Sequence, residues 1–141
     1  MKRIAIASGV LEVTAELDAA GRLTAVRLPT KPPHGLDTAS LAGVLTALEK
    51  YEHAEDGPPF LRAAWQRMRD IAWGQAMTYG ELATALGNPR ASRAVGQACA
   101  RNQRLLIVPC HRVLAETGLG GFALGLEWKE KLLELETEPR G

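Results

Sequence analysis

The chain has 141 residues, 46% apolar and 23% charged, with a formal net charge of +1, the balance of one ordinary globular domain or of a main domain with a small appendage. That balance excludes a disordered chain, and no apolar run approaches the roughly 20 residues that a membrane-spanning helix needs. Residues 1–13 lack the apolar stretch and cleavage site of a secretory signal, so the expected compartment is the cytosol, and two cysteines, Cys99 and Cys110, are too few for a disulfide scaffold or a cysteine-rich zinc site.

In chain order, residues 2–8, 10–17 and 22–28 read as three short strands. LEVTAEL alternates apolar and polar positions, and AAGR supplies the turn of a hairpin. Pro29, Pro32, Pro33 and Gly35 mark a loop, and the spacing of Leu41, Val44, Leu45 and Leu48 predicts a helix from Thr38 to Tyr51. EHAEDGPP is a polar linker and the best boundary, dividing a small domain at 1–57 from a second at 58–141. Phe60, Ala64, Met68 and Ile71 then stripe a helix whose apolar face Trp65 and Ala72 widen. Thr78-Tyr79-Gly80-Glu81 has the pattern of a capping box that opens a short helix ending at Gly87. Asn88-Pro89 predicts the start of the next helix, to about Ala100, and the pair reads as a helix-turn-helix. The fold class is therefore α+β: a small antiparallel sheet plus helix, then a mainly helical domain.

Charge is unevenly spread. Between Phe60 and Arg112 there are eight Arg (62, 67, 69, 90, 93, 101, 104 and 112) against Asp70 and Glu81, with no Lys. A stripe of this kind suits polyphosphate, and Arg can contact phosphate with two N–H groups or insert between bases. A solvated helical face explains the charge alone equally well. The helix over 89–100 is rich in Ala, Ser and Gly, with Arg93 its one long projection. Small residues suit close approach to a backbone or a minor groove, and tight packing on another helix accounts for them too.

LLIVPCHRV, residues 105–113, carries the chemistry. Leu105–Val108 predicts a short buried strand or extended segment that Pro109 breaks, leaving Cys110 beyond a rigid point. His111 and Arg112 give the thiol cationic neighbours that favour thiolate, and an inert buried cysteine is the alternative. Sequence-adjacent Cys and His side chains usually point apart, which weakens a hydrolase reading. No paired-Cys or paired-His spacing suggests a metal.

RAVGQACARNQRLLIVPCHRV, followed by GLGGF and KEKLLELE, resembles the O(6)-alkylguanine-DNA alkyltransferase family. Pro109–Val113 match its Pro-Cys-His-Arg-Val signature, Arg93–Gly96 the preceding Arg-Ala-Val-Gly, and Asn102 the Asn eight residues before the Cys. With Thr-Tyr-Gly and Gly-Asn-Pro upstream, the likeness covers about residues 58–136. The strands and helix before residue 57 are similar to that family's smaller N-terminal domain, without metal ligands.

The resemblance implies DNA repair by irreversible transfer of an alkyl group from guanine O6 to Cys110, once per molecule, with O4-alkylthymine a further substrate. It implies His111 as base through a water, Glu136 as its orienter and Tyr79 as proton donor toward purine N3. The lesion would be rotated out of the duplex through the minor groove. Arg93 would fill the gap, with Tyr79, Ala91, Ser92, Ala94, Gly96, Gln97, Arg101 and Arg112 against DNA. Asn102, Pro109, Val113, Phe122 and Ala123 would form the base pocket. The implied partner is double-stranded DNA carrying alkylated guanine, bound by a monomer without membrane, metal or cofactor, in the cytoplasm and on the nucleoid if the host is prokaryotic.

Several positions depart from the family pattern: Gln97, Gln103, Phe122 in place of Tyr, Ala123, and a loop over 114–122 about one residue short. They bear on pocket size and lesion preference, while Cys99 reads as packing. Three rival readings stand beside this one. A non-catalytic lesion binder would lack the acceptor Cys. A transcription factor would want longer recognition side chains and a dimer surface, and a Cys hydrolase has no use for an Arg stripe.

Overall fold

The protein, described over residues 1–141 by a computed structural model, begins with three antiparallel strands, β1 (Lys2–Ser8), β2 (Leu11–Leu17) and β3 (Leu23–Arg27), in the order β1-β2-β3. The turn after β2 is fixed by Asp18, whose carboxylate accepts from the amides of Ala20 and Arg22. Leu11, Val13, Ala15 and Leu17 all face one side of β2 and are buried, as the alternation predicts. Against them packs α1 (Thr38–Leu48), capped by Asp37 accepting from the amide of Ser40. This helix stops at Leu48 rather than Tyr51, because the following amides of Lys50 and Tyr51 bond back only three residues, a tightened last turn.

Four more helices follow, of which the first three build a second core and the last packs on the sheet's core. They are α2 (Pro59–Met68), α3 (Tyr79–Ala85), α4 (Ser92–Ala100) and α5 (Leu126–Leu135). The face that α2 buries is Leu61, Ala64 and Met68; Ile71 is buried beyond the helix end, and Ala72, expected on the apolar face, is exposed. The capping box at α3 forms as expected, Thr78 accepting from the Glu81 amide and Glu81 from the Thr78 amide. Gly87, at φ +79°, ends that turn in a conformation that favours glycine. Here α4 starts at Ser92, three residues later than Pro89 predicts. Asn88–Arg90 form a separate turn, closed by Ala91 N–H on the Asn88 carbonyl.

A two-residue parallel pair, β4 (Met77–Thr78) with β5 (Val113–Leu114), sets Tyr79 beside the chain that leaves Cys110. The expected strand at 105–108 does not form. Leu106 adopts φ +71°, a backbone position that costs a leucine of order 1 kcal/mol, and its side chain is buried in the N-terminal core beside α1 and Trp128. Leu106, Trp128, Leu132 and Leu135 thus join the sheet's core, while Leu105 and Val108 join that of α2–α4. No helix is long and apolar enough to cross a membrane.

Candidate functional site

Cys110–Arg112 form one 3₁₀ turn directly after Pro109, and all three side chains are buried. The Cys110 thiol is 2% exposed. Asn102, held in the loop after α4, donates from Nδ2 to the thiol Sγ at 3.2 Å and to the Val108 carbonyl at 2.8 Å, while its Oδ1 accepts the Arg104 amide at 3.0 Å. Burial pushes the Cys110 thiol above its ordinary value; the Asn102 donor and the charge of Lys129 pull the other way.

His111 and Arg112 both turn toward Glu136, at the C-terminal end of α5. His111 Nε2 lies 2.8 Å from Glu136 Oε2, and Arg112 donates to both carboxylate oxygens at 2.8 Å, with its Nη1 on the Ile71 carbonyl at 2.7 Å. Although burial alone would raise it, those donors hold the Glu136 carboxyl down at about 2. His111 is held below its ordinary value, burial being the largest cause. An ionised Glu136 accepting from neutral His111 fixes the ring proton on Nε2, so that Nδ1 carries the free lone pair. That Nδ1 is the one buried side-chain nitrogen or oxygen without a hydrogen-bond partner.

Beside this cluster lies a cavity of about 200 Å³ whose lining includes Tyr79, Gly96, Cys99, Phe122 and Ala123. The Phe122 ring stands edge-on to His111, centroids 6.4 Å apart. Gly120, at φ +73°, lets the loop pass over Tyr79, where a Cβ would sit 2.7 Å from the phenol oxygen. Burial raises the Tyr79 hydroxyl above its ordinary value, keeping it a donor. Cys99, read as packing, is buried in the helical core and also lines this cavity, its thiol pushed up to about 12 by burial and by Cys110.

Four expected positions fall elsewhere. Arg112, expected against DNA, is buried and engaged with Glu136 and Ile71, so it faces the protein interior. Pro109, expected in the pocket, lines a different cavity with Leu45, Tyr51 and Trp73. Val113 is fully buried, its carbonyl accepting from Lys129. Ala91 is at the N-cap of α4 and buried. On α4, Ser92, Ala94 and Gly96 are half-buried, and Arg93, Gln97 and Arg101 project to the surface. The Arg stripe is not one surface, because Arg104 and Arg112 are buried and Arg69 pairs with Glu55.

Lys129 is the residue sequence reasoning missed. Fully buried, its Nζ donates to the Val113 carbonyl at 2.7 Å and the Gly121 carbonyl at 2.9 Å, tying the chain after the thiol to the cavity loop. The signal was available: Lys129, Leu132 and Glu136 share one helical face by their spacing of three and four.

Residues 59–138 match the family described as 6-O-methylguanine DNA methyltransferase, DNA binding domain. A methylated-DNA–protein-cysteine methyltransferase of Methanosarcina acetivorans is 46% identical over 99 residues, 70% of this chain and 63% of that protein. The protein so named in Sulfolobus acidocaldarius is 52% identical over 77 residues, 55% of this chain and 48% of the relative. The matches thus span less than two thirds of those relatives' lengths. In structure the chain is similar to Mycobacterium tuberculosis OGT in complex with DNA, with a TM-score of 0.77 and 29% identity over 97% of this chain and 93% of that one.

Proposed function

The chain belongs to the 6-O-methylguanine DNA methyltransferase family, and from that premise we propose that it repairs DNA by moving the alkyl group of O6-alkylguanine onto Cys110. One observation carries the reading: the residue next to the buried thiol presents a free ring nitrogen, His111 Nδ1, whose proton inventory is fixed from behind by Glu136. This is a nucleophile–base–orienter arrangement.

Through a water, Nδ1 takes the thiol proton while Asn102 holds Sγ in place. The thiolate attacks the alkyl carbon in line, a C–S bond forms, and the carbon–O6 pair leaves with guanine. Tyr79 donates toward the purine N3, so that guanine departs neutral. The thioether has no route back to thiol, and each molecule acts once. DNA is bound through its minor groove by α4, where Ser92, Ala94 and Gly96 permit close approach and Gln97 and Arg101 flank it. The lesion is flipped into the cavity under Phe122 and Ala123, and O4-alkylthymine is a second substrate. The protein works as a cytoplasmic monomer, on the nucleoid if its host is prokaryotic, with no cofactor. The small domain (1–57) supports the acceptor domain (58–141).

The deciding experiment is intact-mass measurement after incubation with methylated duplex. One added methyl mass per molecule, followed by no further uptake, is the expected result; turnover, or binding without mass gain, rejects it.

Arg93 provides the test of flipping. It is exposed on α4, and on this reading it enters the vacated stack. Arg93→Ala should slow saturated single-turnover repair of duplex roughly 10- to 100-fold, the rate equivalent of the few kcal/mol that unstacking costs, and leave repair of free O6-methylguanine unchanged. Arg93→Lys should recover part of the duplex rate, since ammonium matches the charge without stacking. Equal losses on duplex and free base would remove the intercalating role.

A further inference from the structure

The loop between α4 and the thiol holds a buried cation that forms no ion pair, with the charges of Glu55 and Asp56 acting on it only from a distance. Arg104 is 4% exposed and takes part in none of the protein's ion pairs. Its Nη1 donates to His53 Nδ1 at 2.7 Å, and its guanidinium carbon lies 5.7 Å from the centre of the Trp65 ring. Its Nε and Nη2 donate to no protein group, yet neither is sealed from solvent, since His111 Nδ1 is the only sealed side-chain atom left unpaired. Arg104 lines a cavity of about 170 Å³ with Trp65, Arg101 and Gln103.

An unpaired buried guanidinium is costly, and such groups are normally matched by an anion. The surroundings favour one here. Arg101 adds a second guanidinium at the C-terminal end of α4. Gln103 uses its carbonyl oxygen to accept from Arg27 at 2.8 Å, which leaves its amide nitrogen free to donate. His53 is held neutral, pushed down to about 4 by burial and then by Arg69 and Arg104, while Glu55 acts the other way. Two lining groups do not help. The Trp65 indole N–H is already on the Ala98 carbonyl, and Asp56 places one negative charge in the same cavity.

We propose that this cavity is a phosphate-binding site, in which Arg104 Nε and Nη2, Arg101 and the Gln103 amide hold one phosphate group, and Asp56 limits its affinity. Planar guanidinium forks suit the paired oxygens of a phosphate, and the volume accommodates a tetrahedral oxyanion with water. The phosphate is either a free monoester or a backbone diester of nucleic acid lying along α4. Only the second source rests on the repair function proposed above. Occupancy would also reach the thiol, because the Arg104 amide donates to Asn102, which donates to Cys110.

The test titrates inorganic phosphate into the full chain at constant ionic strength, following the arginine Nε–Hε and tryptophan indole resonances by NMR. Saturable shifts of Arg104 and Trp65 are expected. Arg101→Ala, a surface change that leaves the fold intact, should weaken the midpoint about threefold or more, and Asp56→Asn should tighten it by a similar factor. Non-saturating shifts, or midpoints indifferent to both variants, overturn the site. Repeating the titration with saturating unmodified duplex separates the sources. Loss of the phosphate shifts assigns the site to the DNA backbone, and unchanged shifts assign it to a free phosphate. Since the first titration contains no DNA, its result is independent of whether alkyl transfer occurs.

Discussion

Cys110→Ser will reduce methyl uptake from O6-methylguanine duplex by about 10³-fold or more while leaving the duplex affinity within a few-fold of wild type. The size of the loss follows from removing the only group that forms the new covalent bond. A serine hydroxyl stays protonated at neutral pH, and the neutral His111 ring is too weak a base to ionise it. Affinity has a separate origin. On the binding mode proposed above it comes from α4 and its flanking arginines and should fall with rising salt, and no hydrogen bond joins those side chains to Sγ. The thiol's one side-chain donor is Asn102, and a serine Oγ can accept the same hydrogen bond. Peptide mapping of the methylated wild type must place the group on Cys110. Methyl found on Cys99, or persistent labelling of the serine variant, would transfer the nucleophile elsewhere. Cys99 has neither a side-chain donor such as Asn102 on its thiol nor a histidine beside it in the chain.

Glu136→Gln will have the second largest effect, on two properties at once. The carboxylate holds both Arg112 and His111, and Arg112 has no other acid within reach. Removing it leaves a buried guanidinium uncompensated, at a cost of about 3–5 kcal/mol in unfolding free energy. A glutamine can also turn its NH₂ toward His111 Nε2, moving the ring proton to Nδ1 and abolishing the free base. Transfer should then fall by about 10²- to 10⁴-fold. Arg112→Lys separates the two roles. It should lose stability through the missing second hydrogen bond, yet keep most of the transfer rate, because Glu136 still fixes the His111 proton. Equal rate losses in both variants, measured well below each melting temperature, would make Glu136 purely structural.

The same triad sets the acid limit of stability. Glu136, at about 2 when folded against an ordinary 4.5, binds its proton more readily in the unfolded chain. Its contribution, about 3 kcal/mol, is therefore present above pH 4.5 and lost as pH falls toward 2. His111 is likewise held below its ordinary 6.5 in the fold, so unfolding gains a proton and stability declines as pH drops below 6.5. Thermal melts should fall gently from pH 6.5 and steeply below 4.5. In Glu136→Gln the Glu136 part of the steep limb should vanish; an unchanged limb would show that other carboxylates cause it.

Local chemistry was legible in the sequence wherever a few adjacent residues decide the outcome. The hairpin turn over residues 19–22, the alternation of β2 and the capping box at Thr78–Glu81 depend on residues in their own neighbourhood, and each formed as read, while the Asp18 carboxylate that closes the turn is visible only in the structure. The ordered motifs from Arg93 to Val113 likewise pointed to the family, because several spaced residue types had to agree at once.

Tertiary structure decided what distance along the chain hides. LLIVP has the composition of a strand, yet Leu106 takes a left-handed conformation. Its side chain serves the N-terminal core while Leu105 and Val108 serve the helical one, and no extended segment satisfies both. Eight arginines read as one basic stripe, although Arg112 turns inward to a carboxylate 24 residues away and Arg104 to a histidine 51 residues away. The buried Lys129 ties Val113 to Gly121 across a loop, a pairing no spacing rule contains. Periodicity and capping report the backbone's local preferences; which partner neutralises a buried charge depends on where folding brings the two together.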